Sequence, residues 1–226
     1  MKLKNNSNIV KAILIMTLSL LTCNSQAFFN KTEFKNIKKQ APGISDKVLE
    51  LALSANECAK KKGYNKKNIL TILDYSLPST KKRFWVLDLD KDKVVYSICA
   101  AHGRNSGANF TFSFSNKNRS LQSSIGVFVT GDTYIGKHGL SLELFGQEPG
   151  FNSNAHSRRV VIHAASYVTE QFARDHGRIG RSWGCPALNP KFAKPVIKEI
   201  RNGTVLFSYY PDKKWLNESK YLNCSK

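Results

Sequence analysis

Between Ile69 and Tyr210 the chain is cut into short apolar runs separated by polar or glycine-containing turns, and this spacing constrains the fold more than any other feature. Ile69 to Tyr75 reads as a first strand. Phe84 to Leu89 and Val94 to Ala100 read as a hairpin joined by the polar turn Asp90-Lys91-Asp92-Lys93. Phe110, Phe112 and Phe114 alternate with Thr111, Ser113 and Ser115, the pattern of a half-buried strand. Gly126 to Thr130, Thr133 to Ile135 and Leu140 to Leu144 are further short strands. Val160-Val161-Ile162 has the composition of a central strand, and Thr204 to Tyr210 is the last apolar one. Many short strands divided by turns argue for a sandwich or barrel-like sheet and against repeated parallel βαβ units.

Helical signals are fewer. Ser45 is a fit N-cap, Asp46 adds negative charge to the first turn, and Ile44 and Leu49 flank the cap as a hydrophobic staple would. Val48, Leu51, Ala52, Ala55 and Ala59 then share one face, and Gly63 stops the helix. Val168 to His176 reads as a second helix closed by Gly177. Asn189-Pro190 can start a third, properly helical only from Pro195 to Arg201, with Asn202-Gly203 ending it. Residues 28 to 43 are basic and weakly patterned. The fold class is therefore α+β, mainly β, with a few helices.

The first residues read as an export signal. Lys2, Lys4 and Lys11 form a basic segment, and the apolar run Ala12 to Thr22 is too short to span a bilayer. Ser25-Gln26-Ala27 follows, so cleavage is expected after Ala27. A rival reading makes Cys23 a lipid-modified N-terminus, although Leu21 and Thr22 match that pattern poorly. With 35 basic and 16 acidic side chains the chain carries a formal charge of +19, and the leader removes only three lysines. Nucleic acid, an anionic membrane face and an anionic wall polymer could each answer such charge, as could simple solvation of scattered lysine pairs. Export argues against nucleic acid.

Once the leader is gone, Cys58, Cys99, Cys185 and Cys224 remain in an oxidising compartment. If Cys185 stays a thiol, at most one disulfide forms among the others. Cys58 with Cys224 is the favoured pair, joining a helix to an otherwise loose tail. His138, His156, His163 and His176 have no spacing that asks for zinc, so no metal and no cofactor are expected. His102, in the glycine-rich stretch AAHGRNSGANF, reads as structural more readily than as functional.

Chemistry concentrates in Val160 to Leu188, VVIHAASYVTEQFARDHGRIGRSWGCPAL. A histidine, His163, ends a buried run, and a cysteine, Cys185, sits in a Ser-Trp-Gly-Cys-Pro turn. A thiol attacks a carbonyl as thiolate, so it needs a base and nearby positive charge. Arg181 and Arg178 precede Cys185 by four and seven residues, in a turn that can fold back on it. The N–H groups of Trp183, Gly184 and Cys185 can converge on one oxygen as an oxyanion hole. A backbone carbonyl such as that of Ala164, or Ser182, can hold the other ring nitrogen of His163. On spacing alone, a structural cysteine beside a satisfied core histidine is an equal alternative. A papain-like order is disfavoured because there the cysteine precedes the histidine.

The segment IHAASYVTEQFARDHGRIGRSWGCPAL resembles the active-site segment of the L,D-transpeptidase catalytic domain (YkuD-like), in the variant whose cysteine motif reads S-W-G-C-P-A. AHGRNSG, FSFSN, SLQSSIGVFVTGDTYIGKHGLSLEL and EPGFNSNAHSR are similar to the same family's sheet and loops, and Ser123 to Phe128 stands where related domains carry T-P-x-G-x-F. The likeness covers roughly residues 67 to 210. It implies a mixed β-sheet or sandwich fold, with Cys185 as nucleophile, His163 as base, and Ser182 and Gly184 shaping the turn. It also implies a cell-envelope enzyme acting on peptidoglycan stem peptides, in which the thiolate attacks the L-centre of the diamino acid and expels D-alanine. An amine or water then resolves the thioester.

Two positions depart from the pattern. Better-known members carry arginine two residues after the cysteine, where this chain has Ala187, and glycine after the histidine, where it has Ala164. Arg181 or Arg178 would have to replace that arginine at the substrate, with His138 as a further candidate contact. The expected layout is a leader over 1–27, an N-terminal helical extension over 28–66, a catalytic domain over 67–212 and a tail over 213–226. The expected protein is a periplasmic or secreted monomer without stable membrane insertion. Alternatives are a carboxypeptidase or endopeptidase on wall peptides, and a non-catalytic wall-binding protein.

Overall fold

The computed structural model describes residues 30–224, so the leader, its cleavage site and Cys23 lie outside the described residues. One eight-stranded mixed sheet dominates: β1 (Ile69–Asp74), β2 (Phe84–Asp88), β3 (Lys93–Ile98), β4 (Gly126–Gly136), β5 (Gly139–Gly146), β6 (Val161–Ala164), β7 (Ala187–Leu188) and β8 (Val205–Tyr209). Their order across the sheet is β3-β2-β1-β8-β4-β5-β6-β7. Pairing is antiparallel except for β1 with β8 and β6 with β7. An Ala100–Leu188 bridge and the Ala101 N–H donating to the Ala187 carbonyl at 2.8 Å bring the chain after β3 against β7. The sheet thus curls until its two ends meet, which is the barrel-like geometry that the short strands suggest.

Both faces are covered, and the strands alternate between them with a period of two. Leu70, Ile72, Trp85, Leu87, Val205 and Phe207 point to one face, where α1 (Lys31–Gln40), α2 (Asp46–Lys61) and α5 (Lys213–Glu218) contribute Ile37, Leu49 and Trp215. Leu73, Phe84, Val86, Phe128 and Leu206 point to the other, where α4 (Pro190–Ile200) supplies Ala193, Val196, Ile197 and Ile200. Ser45 caps α2 by accepting from the Val48 N–H at 3.2 Å, and Gly63 follows its end at φ +84°.

Several local expectations are corrected. Lys31–Gln40 is helical despite its weak pattern, because Asn30 caps it and Ile37 anchors it in the first core. Phe110 to Ser115 is not a strand: Thr111 makes one bridge to Gly107, and Phe110 and Phe112 face solvent. Gly126 to Ile135 is one long strand with an irregularity between Thr130 and Thr133, not two. α4 begins at Pro190, and Pro195 lies inside it. The Val160 run sits one strand from the end of the sheet, and Val205–Tyr209 occupies a central place. The segment after β8 is tied down by a Cys58–Cys224 disulfide, the favoured pair.

Candidate active site

β6 places His163. Ile162 is buried in the core beneath α4, so its neighbours Val161 and His163 turn to the opposite side. His163 pairs across β5 with Ser141 and across β7 with Ala187. β7 is only two residues long, and the turn that precedes it carries Cys185. The Val161 N–H donates to Cys185 Sγ at 3.5 Å, which puts the sulfur alongside β6 two residues from the histidine. The thiol itself points to the Arg159 carbonyl at 3.6 Å.

The imidazole is held at one nitrogen. His163 Nδ1 lies 2.8 Å from the Ala164 carbonyl, so Nδ1 carries the proton and Nε2 keeps its lone pair. Burial lowers the His163 pKa, the Ala164 carbonyl opposes that, and nearby His138 lowers it further. His138 stacks on the ring with centroids 4.4 Å apart. These effects together favour the neutral imidazole. Burial also raises the Cys185 thiol, while the Val161 N–H and the Arg158 guanidinium draw it back toward the thiolate.

Serines brace the turn. Ser182 Oγ donates to the Cys185 carbonyl at 2.6 Å and accepts from the Gly184 N–H at 3.1 Å. Ser123 Oγ donates to the Gly184 carbonyl at 3.1 Å. Gly184 has φ +125°, and a Cβ there would meet the Gln122 carbonyl oxygen at 2.8 Å, so only glycine fits. Its N–H is engaged inside the turn, which removes Gly184 from the three oxyanion donors expected. The Trp183 and Cys185 N–H groups have no acceptor among the described residues. The Trp183 ring is 72% exposed.

The other candidates divide. Arg181 donates to the Arg104 and Gly107 carbonyls, and Arg178 to the Ile179 carbonyl, so neither is the cation at the sulfur. His102 is structural: Nδ1 accepts from Arg83 at 2.7 Å, Nε2 faces the Gly107 carbonyl, and its own carbonyl receives the Ser182 N–H at 2.9 Å. Among the described residues no group of three or more histidine, cysteine or acidic side chains could hold a metal ion. No helix among them is long and apolar enough to cross a membrane.

A profile of the L,D-transpeptidase catalytic domain matches residues 40–209, three quarters of the chain. The chain belongs to the L,D-transpeptidase catalytic-domain family. No curated protein matches it. Among solved structures it is similar to an L,D-transpeptidase from Mycobacterium smegmatis, at 13% identity, over 63% of this chain and 59% of that one, with a TM-score of 0.39. L,D-transpeptidase 1 from Mycobacterium tuberculosis is similar at 13% identity, over 63% and 62% of the two chains, with a TM-score of 0.36. An L,D-transpeptidase from Stackebrandtia nassauensis matches at 13% identity over 78% and 76%, with a TM-score of 0.37. This chain spans less than two thirds of either mycobacterial protein. Similarities this distant transfer no activity.

In this L,D-transpeptidase domain, which lacks the arginine after the cysteine, a different arginine that sequence reasoning passed over lies at the nucleophile turn. Arg158 reaches behind the turn, with Nη1 bonded to the Ser115 carbonyl at 2.5 Å and Ser124 Oγ at 2.6 Å, and Nη2 to the Gln122 carbonyl at 2.7 Å. Its charge opposes the rise that burial imposes on the Cys185 thiol, and Nη2 lies 3.6 Å from where a Cβ on Gly184 would stand. It ends the EPGFNSNAHSR segment, two residues before the β-branched run, and that adjacency was the available signal. Tyr167 was also missed. It packs against Gly180, and burial together with the Cys185 sulfur pushes its hydroxyl up to about 12.

Proposed function

We propose that this protein is a cysteine L,D-transpeptidase of the cell envelope, transferring peptidoglycan stem tetrapeptides through a thioester. The observation that carries the reading is the His163 ring, fixed by the Ala164 carbonyl with Nε2 free, on the strand whose Val161 N–H touches Cys185 Sγ. His163 takes the thiol proton as the substrate carbonyl arrives. The thiolate, favoured by Val161 N–H and Arg158, adds to the carbonyl of the L-centre, and the Cys185 and Trp183 N–H groups receive the oxyanion. His163 returns the proton to the leaving D-alanine nitrogen. An acceptor amine then loses a proton to His163 and attacks the thioester, which frees Cys185 and completes the cross-link. Export through a leader, and the charge of +16 left once its three lysines are removed, suit an anionic wall as partner. A monomer of one catalytic domain, with its helical extension and tail, is part of the same proposal.

Incubation with disaccharide-tetrapeptide muropeptides, read by mass spectrometry beside Cys185→Ala, tests this. Free D-alanine with dimers, both lost in the variant, is the expected result. D-alanine with tripeptide alone would assign water as acceptor and make the protein a carboxypeptidase. Full activity in Cys185→Ala would refute the mechanism.

A further inference from the structure

Three exposed aromatic residues stand on two loops that meet at the nucleophile turn. Phe110 is 59% exposed, Phe112 70% and Trp183 72%. Single exposed apolar side chains are ordinary, but a cluster on neighbouring loops marks a contact surface. The loops that carry them are braced to one another. The Arg104 N–H donates to the Ser182 carbonyl at 2.8 Å, and Arg181 Nη1 donates to the Arg104 and Gly107 carbonyls at 3.1 and 2.9 Å. Gln122 Nε2 ties the Asn105 carbonyl at 3.0 Å to Ser113 Oγ at 2.7 Å. The rings are thus presented on a fixed frame.

Positive charge surrounds them without neutralisation. Arg104 lies over the Trp183 ring, 6.0 Å from its centroid. Arg181 feels burial, then Arg178, then Arg104, and no carboxylate is among the groups acting on it. An arginine cluster with no acid facing it is complementary to an anionic ligand.

We propose that Trp183, Phe110 and Phe112 form a stacking platform for the sugar rings of the glycan strand, with Arg104, Arg178 and Arg181 meeting carboxylates of the attached stem peptide. This rests on the wall-peptide reading above and deepens it: the substrate is the glycan-linked stem, not a free peptide. The C–H face of an N-acetylated pyranose is flat enough to lie on an aromatic ring, and burying that ring supplies contact area. The carboxylates follow on the peptide that the same sugar bears, which matches rings and arginines side by side. A lipid surface is the weaker occupant. Trp183 is two residues from Cys185, so a bilayer pressed on it would cover the thiol, whereas a sugar delivers the peptide to it.

The test compares D-alanine release by the purified protein from a disaccharide-tetrapeptide and from the same tetrapeptide without sugars. The expected kcat/KM is about tenfold higher with sugars, mainly through KM, equivalent to about 1.4 kcal/mol of added binding. That ratio should fall about fivefold or more in Trp183→Ala and in the double variant Phe110→Ala/Phe112→Ala. A ratio is insensitive to a general loss of activity, and the double variant lies outside the nucleophile turn. Equal values for the two substrates in the wild type, or an unchanged ratio in both variants, overturns the platform. Loss of binding to anionic phospholipid vesicles with the ratio unchanged overturns it in favour of a membrane. If the wild type releases D-alanine from neither substrate, the catalytic reading fails by itself. Retention on glycan strands stripped of peptide then decides the platform, which is overturned if the variants are retained as well as the wild type.

Discussion

At the scale of single residues the proposed reaction turns on two groups that rest uncharged. Burial raises the Cys185 thiol and lowers the His163 imidazole, so both favour their neutral forms, and in the proposed mechanism the thiolate forms as the carbonyl arrives. In the proposed mechanism Arg158 is the cation that lowers the cost of that ionisation. Arg158→Met should shift the pH inflection of Cys185 alkylation upward and lower kcat/KM about tenfold near neutrality, since one pKa unit corresponds to about 1.4 kcal/mol. An unmoved inflection would remove Arg158 from the mechanism. His102 gives a second prediction. Burial and the Arg83 charge push its pKa down to about 3, whereas the unfolded ring titrates near 6.5. Between those values the unfolded chain binds a proton that the folded one excludes, so stability is full above about 6.5 and falls as pH drops toward 3. In His102→Asn the amide oxygen can still accept from Arg83, and the slope of Tm against pH in that window should flatten. A slope equal to wild type would contradict the buried neutral ring.

At the scale of elements, the connection between β5 and β6 is the part most exposed to failure. It carries Arg158 and Arg159 and is held from behind by Glu148. That buried carboxylate accepts from the Val127 N–H at 2.7 Å, Trp215 Nε1 at 3.1 Å and Ser219 Oγ. Two of the three donors come from α5 and the residues after it, so the C-terminal segment supports the loop that lines the thiol. Glu148→Ala leaves those donors unpaired and should cost about 3 kcal/mol or more in urea unfolding, with Glu148→Gln milder. Activity should fall in proportion to the loss of Arg158 placement. A Glu148→Ala protein as stable as wild type would show that water replaces the carboxylate. β7 is the complementary case, a strand of two residues that survives because its register is set by the Ala101 and Ala165 N–H groups donating to Ala187 and Leu188.

At the scale of the whole molecule, one covalent link joins α2 to the C-terminal segment across 166 residues. Closing a loop of that length restricts the unfolded chain by about 5 kcal/mol on the chain-entropy account. Reduction, or Cys58→Ser with Cys224→Ser, should therefore lower Tm markedly, and an unchanged Tm would mean that Trp215 and Glu148 suffice to hold the segment. Much of this architecture was legible in the sequence. Strand periodicity, the Ser45 cap and the Ala164 carbonyl at His163 are local matters, decided by pattern and by neighbours in the chain. The exposed fate of Phe110 and Phe112 was not legible, because alternation records which side chains differ and not whether a partner strand arrives. The order of the strands, with β8 central beside β1, depends on which edges find one another after collapse. The same holds for Arg158. Nothing in the spacing to Cys185 predicts their meeting, because 27 residues separate them and only the curl of the sheet and the serine-braced turn bring the guanidinium behind the sulfur.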